Sequence, residues 1–182
     1  MIGSTGLHRM SIAARLAAVA AVTLAASSAA AQTRCTETTR FDPPLRILHC
    51  ADGLTLEVER AGSLRPVDPD SDGHLKGAEI GGNAVFVTIP ASRRVRRDGF
   101  QILTPHAVAS VRGTVYAVDV TRARTSVFVA QGRVDVARRD APQIAVTLGP
   151  GEGVDVDDGR DPLEVRRWPQ ERVRSLLERF GR

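Results

Sequence analysis

Cysteine, lysine and aromatic residues are scarce in this chain. Its 182 residues include two cysteines, one tryptophan, one tyrosine and five phenylalanines, and Lys76 is the single lysine. Cys35 and Cys50 stand fifteen residues apart, which is not the C-x-x-C of a dithiol redox centre. His49, His74 and His106 are the histidines beyond residue 31, and none has metal-ligand spacing to another histidine or to a cysteine. No G-x-S-x-G, S-x-x-K, H-E-x-x-H or phosphate-binding loop occurs, and no nucleophile has a base beside it. Glu152 stands between glycines, where an acid commonly serves to keep a tight turn soluble. The expectation is a protein that is not an enzyme. The uncharged run at residues 16–31 holds about 16 residues, short of the ~20 needed to span a bilayer.

That run has another reading. His8, Arg9 and Arg15 give a weakly basic start, and Ala29-Ala30-Ala31 fits the small-x-small cleavage rule. Residues 1–31 therefore read as a secretory signal peptide, cleaved before Gln32. Membrane association is expected only through this segment if it stays uncleaved. The mature chain, 32–182, suits one domain with a real core. Cleavage removes two arginines and no acids, leaving 23 basic against 21 acidic residues and a net charge of about +2. The sequence pI near 10.0 thus overstates the basicity. Arginine in place of lysine, with much alanine and valine, reflects GC-rich coding more than function. An even cysteine count in an exported chain points to a Cys35–Cys50 disulfide, worth on the order of 3 kcal/mol. The chain is expected to be periplasmic or secreted, so nucleic acid is not an expected partner.

Strand patterning dominates. LRILHC and LTLEVER flank the turn Ala51-Asp52-Gly53 and read as a hairpin. AVFVTI follows Gly81-Gly82-Asn83. FQIL, AVASV, VYAVDV, TSVFVA, RVDVA, IAVTL, GVDVD and LEV complete the series. Turns recur every 8–12 residues or so, as in sandwiches and barrels. In TSVFVA, Val127 and Val129 face one way and Ser126, Phe128 and Ala130 the other. The period changes at the end: Val173, Leu176, Leu177 and Phe180 recur at i, i+3, i+4 and i+7, with Pro169 at the start and Gly181 at the stop. The fold class expected is all-β, a β-sandwich or irregular barrel of short strands, with a C-terminal amphipathic helix over residues 166–182. Trp168 and Phe180 favour a helix that packs on the β-core as a lid, with Arg172, Arg174, Glu178 and Arg179 facing water.

Two charged stretches stand out. DPDSDGHLKGAE places Asp68, Asp70 and Asp72 at positions 1, 3 and 5 of a twelve-residue window, Gly73 at 6 and Glu79 at 12. His74 would offer its backbone carbonyl at position 7. This is the spacing of an EF-hand calcium loop, and hard oxygen ligands select Ca2+ over transition metals. Lys76 at position 9 and Pro66 upstream depart from the helix–loop–helix pattern. The expectation is an EF-type loop set between strands, bracing the structure. The second stretch is Arg93, Arg94, Arg96 and Arg97, a solvated loop or a binding patch for an anionic envelope polymer.

The motifs TPHAVASVRGT at residues 104–114, TSVFVAQGRVDV at 125–136 and LGPGEGVDV at 148–156 follow one another in order. Together they resemble the FecR domain family over residues 100–156. The resemblance implies an all-β periplasmic domain without catalytic residues, which in its best-known members receives a signal from an outer-membrane receptor. It singles out Thr104, Pro105, Arg112, Gly113 and Thr114 as motif or interaction residues, with Arg112 expected to tie the loops together. The expected organisation is a disulfide hairpin region with the acidic loop at 32–99, a FecR-like core at 100–165 and the helix, in one domain. The expected partner is another envelope protein. Only about ten residues precede the hydrophobic segment, so direct sigma-factor control is not expected.

Overall fold

Valine recurs at alternate positions in stretches such as AVFVTI, VYAVDV and TSVFVA, a pattern suited to pleated surfaces. The computed structural model describes residues 34–69, 73–92 and 99–182, with residues 68 and 69 described in backbone only. Among these, the strands are β1 (Cys35–Phe41), β2 (Pro44–Cys50), β3 (Thr55–Glu59), β4 (Ser63–Pro69), β5 (Leu75–Thr88), β6 (Phe100–Leu103), β7 (Ala107–Val111), β8 (Val115–Val120), β9 (Arg124–Gln131), β10 (Val134–Arg138), β11 (Ala145–Leu148), β12 (Glu152–Asp157) and β13 (Arg166–Arg167). One helix follows, α1 (Gln170–Glu178). The signal-peptide reading of residues 1–31 and the basic run Arg93, Arg94, Arg96 and Arg97 lie outside the described residues.

The ladder runs β11-β10-β7-β6-β5-β8-β9-β12-β13. β5 is the hinge of this order. Its first half pairs with β4 on one side and with β6, in parallel, on the other. Its second half pairs with β3 and β8, both antiparallel. β2 and β1 extend the sheet outward from β3. The result is a curled sheet in two layers, a half-barrel that shares one strand.

The bend in β5 falls at Gly81-Gly82-Asn83. Asn83 holds a left-handed backbone, φ 62°, which asparagine tolerates better than most residues. A side chain on Gly81 would collide with the Ser63 hydroxyl. That same hydroxyl accepts the Gly81 amide at 2.9 Å. In sequence these glycines signal a turn ahead of a strand; they lie inside one long strand, because the ladder continues through the bend.

Between the layers lies the main core. Val85 and Val87 of β5, Tyr116 and Val118 of β8, and Val127 and Val129 of β9 point into it, with Leu56, Ile80, Phe100 and Ile102. The alternate residues of the same three strands, Ala84, Phe86, Ala117 and Phe128, point to the opposite face. There they meet Trp168, Leu176 and Phe180. Both faces of these central strands are dry, so they read as nearly continuous apolar runs. Phe180 is fully buried, its ring centroid 5.6 Å from that of Phe86. The helix is the lid that its sequence pattern predicts.

Ion pairs hold the lid at its edges. Arg172 reaches both Asp155 oxygens, and its guanidinium lies 3.5 Å from the centre of the Trp168 ring. Arg179 makes a two-pronged contact with Glu59, at 2.8 and 2.6 Å, and a third with Asp119 at 3.0 Å. Arg182 and Arg40 converge on Glu57, and Arg40 also donates to the Phe180 carbonyl at 2.6 Å. Arg172 and Arg179 were expected to face water; they bridge the helix to the sheet, because strand-borne carboxylates stand within their reach. At the C-terminus, Gly181 takes φ 72°, and the Gly181 and Arg182 amides close on the Glu178 and Leu177 carbonyls.

These contacts set the acid behaviour of the lid. Burial alone would raise the Glu59 carboxyl. Hydrogen bonds from Arg179 and the Ala84 amide, with the Arg179 charge, outweigh burial and hold it below its ordinary value. Asp155 is lowered in the same way, by Arg172 and the Ser126 hydroxyl acting against burial. A depressed carboxylate stabilises the fold above its ordinary range, and that contribution is lost as pH falls through the folded value. Two outcomes follow. Urea midpoints should hold steady from neutral pH down to about 5 and drop below about 4, and Glu59→Gln should flatten that acid limb; an acid limb unchanged in the variant contradicts the assignment. Phe180→Ala should cost roughly 3–5 kcal/mol in equilibrium unfolding, whereas a loss under 1 kcal/mol would mean that the helix is not part of the folded unit.

Candidate functional site

The turn joining β6 to β7 is built by Thr104. Its hydroxyl donates to the Ala107 carbonyl and accepts the Ala107 amide, each at 2.9 Å. The Thr125 hydroxyl of β9, in the other layer, donates to Thr104 at 2.9 Å. Thr125 oxygen in turn lies 3.1 Å from Nδ1 of His106. Because the Thr125 proton is already directed to Thr104, His106 must donate from Nδ1. Thr104, His106 and Thr125 are all buried, so this chain of hydrogen bonds is a satisfied polar rivet between the layers. Arg139 extends it, donating to the Thr104 carbonyl at 2.8 Å.

Arg112, Gly113 and Thr114 form a second junction, at the turn from β7 into β8. Gly113 has φ 57°, and a Cβ there would stand 2.9 Å from Ala91 Cα. Only glycine fits both demands. Gly132, in the turn from β9 to β10, stacks on the same spot: its Cβ would lie 2.9 Å from the Gly113 carbonyl. The buried Thr114 hydroxyl lies 3.0 Å from the Arg112 and Arg133 carbonyls, and the Thr114 carbonyl accepts the Ile89 amide at 2.9 Å. Three chain segments are locked together through the Thr114 hydroxyl and carbonyl. Arg112 itself is exposed at this corner.

The described residues on either side of the acidic stretch pair in the β4–β5 ladder. Pro69 pairs with Leu75, Pro66 with Ala78 and Arg65 with Glu79. The Asp68 side chain, Asp70 and Asp72 lie outside the described residues. Glu79 sits four residues beyond Leu75 in β5, about 13 Å along the strand, and its carboxylate is 3.6 Å from Arg139. From Leu75 to Glu79 the window runs along β5. Gly73 has φ 79°, its carbonyl accepts the Arg34 amide at 3.1 Å, and the His74 ring lies 3.2 Å from Asp52. Gly73 and His74 are thus docked beside the β2–β3 turn. Cys35 and Cys50 face each other in register beside it and are joined as a disulfide. Among the described residues, no group of three or more His, Cys, Asp or Glu gathers as for a metal.

The motif and the hairpin meet at one surface cleft of about 410 Å³, lined by Ser63, Arg65, Glu79, Gly81, Pro105 and Arg139. Pro105 is its exposed motif residue. The cleft brings Glu79 and Pro105 together; Arg112, Gly113 and Thr114 lie at the separate corner with Ala91. Glu152 closes its own turn, its carboxylate accepting the Gly149 amide at 2.7 Å. Sequence reasoning missed Arg139 and Arg138. Arg138 is buried, donating to the Asp157 and Asp161 carbonyls. An arginine pair closing a strand carries no periodic signal.

The FecR protein family model matches residues 46–135. It starts within β2 and ends within β10, so it takes in most of the 32–99 region that the motif resemblance left out. No curated protein matches. Two crystal structures of proposed anti-sigma factors from Parabacteroides distasonis share the fold. One, at 2.50 Å, has a TM-score of 0.57 and 17% identity over 79% of this chain. The other, at 1.65 Å, has a TM-score of 0.50 and 18% identity over 81% of this chain. This chain covers 64% and 63% of their respective lengths, just under two thirds. Gly113→Ala should destabilise by about 1–3 kcal/mol, measured by urea unfolding. A neutral result would show that the corner relaxes and that the Val-Arg-Gly-Thr motif serves something other than packing.

Proposed function

Because the chain belongs to the FecR-domain family, we propose that it is a non-catalytic regulatory module that works by binding another envelope protein, in the periplasm. The observation that carries this reading is the family match over residues 46–135. What the motif residues do supports it. Thr104, Gly113 and Thr114 are spent on rivets and close backbone approach, and Glu152 on a turn. That leaves the faces of the sheet and helix, with their arginines and carboxylates, to meet a partner. The fold shared with proposed anti-sigma factors points to signalling as the setting. A leader at residues 1–31 and a disulfide between Cys35 and Cys50 suit an oxidising compartment.

Expressed from its full coding sequence in a Gram-negative host, the protein should be released by osmotic shock, begin at Gln32 and carry an oxidised Cys35–Cys50 pair. Deleting the gene in its own host should shift transcription of a defined set of envelope genes. Full-length protein held in the cytoplasm, or a transcript profile matching the parent strain, contradicts the proposal.

A further inference from the structure

Helix α1 lies on its sheet with two unlike flanks. On one flank its arginines are answered: Arg172 meets Asp155, and Arg179 meets Glu59 and Asp119. On the other flank an open groove of about 550 Å³ runs between the helix and the sheet, at Phe128 of β9, Gly151 and Arg167 of β13. Val173 and Leu177, one helical turn apart and half-buried, supply its helix wall. The Trp168 ring, stacked on Phe128 with centroids 5.3 Å apart, supplies its floor. Arg167, Arg174 and Arg182 stand on the rim. Arg182 spends its charge on Glu57. Arg167 and Arg174 are exposed, and among the described residues no carboxylate lies within ion-pair distance of either.

We propose that this groove docks an acidic amphipathic segment of a partner protein, placing apolar side chains against Val173, Leu177 and Trp168 and carboxylates on Arg167 and Arg174. The proposal rests on reading the chain as an interaction module and names the chemistry of its partner. Charge complementarity selects the occupant. Two unanswered guanidinium groups flanking an apolar floor call for negative charge and apolar surface at the same spacing. An anionic polysaccharide brings the charge without the apolar side chains. An anionic lipid surface would have to approach Glu171 and Glu178, which stand exposed on the same helix. The volume falls within the range of small binding clefts, enough for a few side chains. The helix itself is firmly seated, so the groove is preformed and little ordering cost is left to binding.

Trp168 is the single tryptophan, so its fluorescence reports on the groove floor. The intact mature protein is titrated with a short synthetic peptide alternating Asp and Glu with Leu and Phe. A saturable change is expected, with affinity falling about tenfold or more in the Arg167→Ser/Arg174→Ser double variant. The same peptide with Lys in place of its acids should not saturate. Both substituted arginines are exposed, and an unchanged thermal melt confirms that the variant is folded. Absence of saturation, equal binding by the lysine peptide, or full affinity in the double variant overturns the proposal. In-cell cross-linking to the envelope partner that persists undiminished in the double variant overturns the groove while leaving the module reading intact.

Discussion

Everything in this fold hangs on one strand that belongs to two layers. Residues 75–82 of β5 carry β4 and β6, and residues 83–88 carry β3 and β8. A single chain segment thus supplies the central ladder of both halves. The bend at Gly81-Gly82-Asn83 re-aims the strand without ending it, and it needs residues free of bulk there: Gly81 to admit Ser63, and Asn83 to hold a positive φ. Once β5 is bent, its side chains face the inter-layer core on one side and the helix on the other. The second core of Phe86, Phe128, Trp168 and Phe180 follows from that geometry.

The motif residues and the binding surface divide the work. Hydrogen bonds of Thr104, Thr125 and His106 join the layers from within. Gly113, Thr114 and Gly132 pack three backbone segments into one corner. These are positions where a side-chain change is felt by the whole domain. Arginines do the surface work. Their guanidinium groups bind Glu59, Asp155 and Glu57 two-pronged at the lid, while Arg167 and Arg174 stand exposed along the groove.

The sequence made the central strands legible because both of their faces are apolar, and the helix because it has one buried periodic face. Val127 and Val129 against Phe128, and Leu176 with Phe180, are examples. Other elements were not legible, for physical reasons. β1 is an edge strand whose residues 36–39 are all exposed, so no alternation marks it. β4 carries Pro66, tolerated because an edge strand has one unpaired side. LEV was read as a strand; the pairing instead falls on Arg166 and Arg167 opposite Gly153 and Glu152, while Leu163 and Val165 only pack against the core. Of the acidic window, Glu79 is held in the β5 ladder opposite Arg65. The groove had no local signature at all, since its walls come from β9, β13 and α1.

The central claim is that β5 makes the two layers one cooperative unit that presents the helix face as a rigid surface. Native-state hydrogen exchange tests it most directly. Amides of residues 75–80 and of residues 85–88 should exchange at one common free energy, equal to that of global unfolding. If either layer exchanges at a distinctly lower free energy than the other, the layers open separately and the account is wrong.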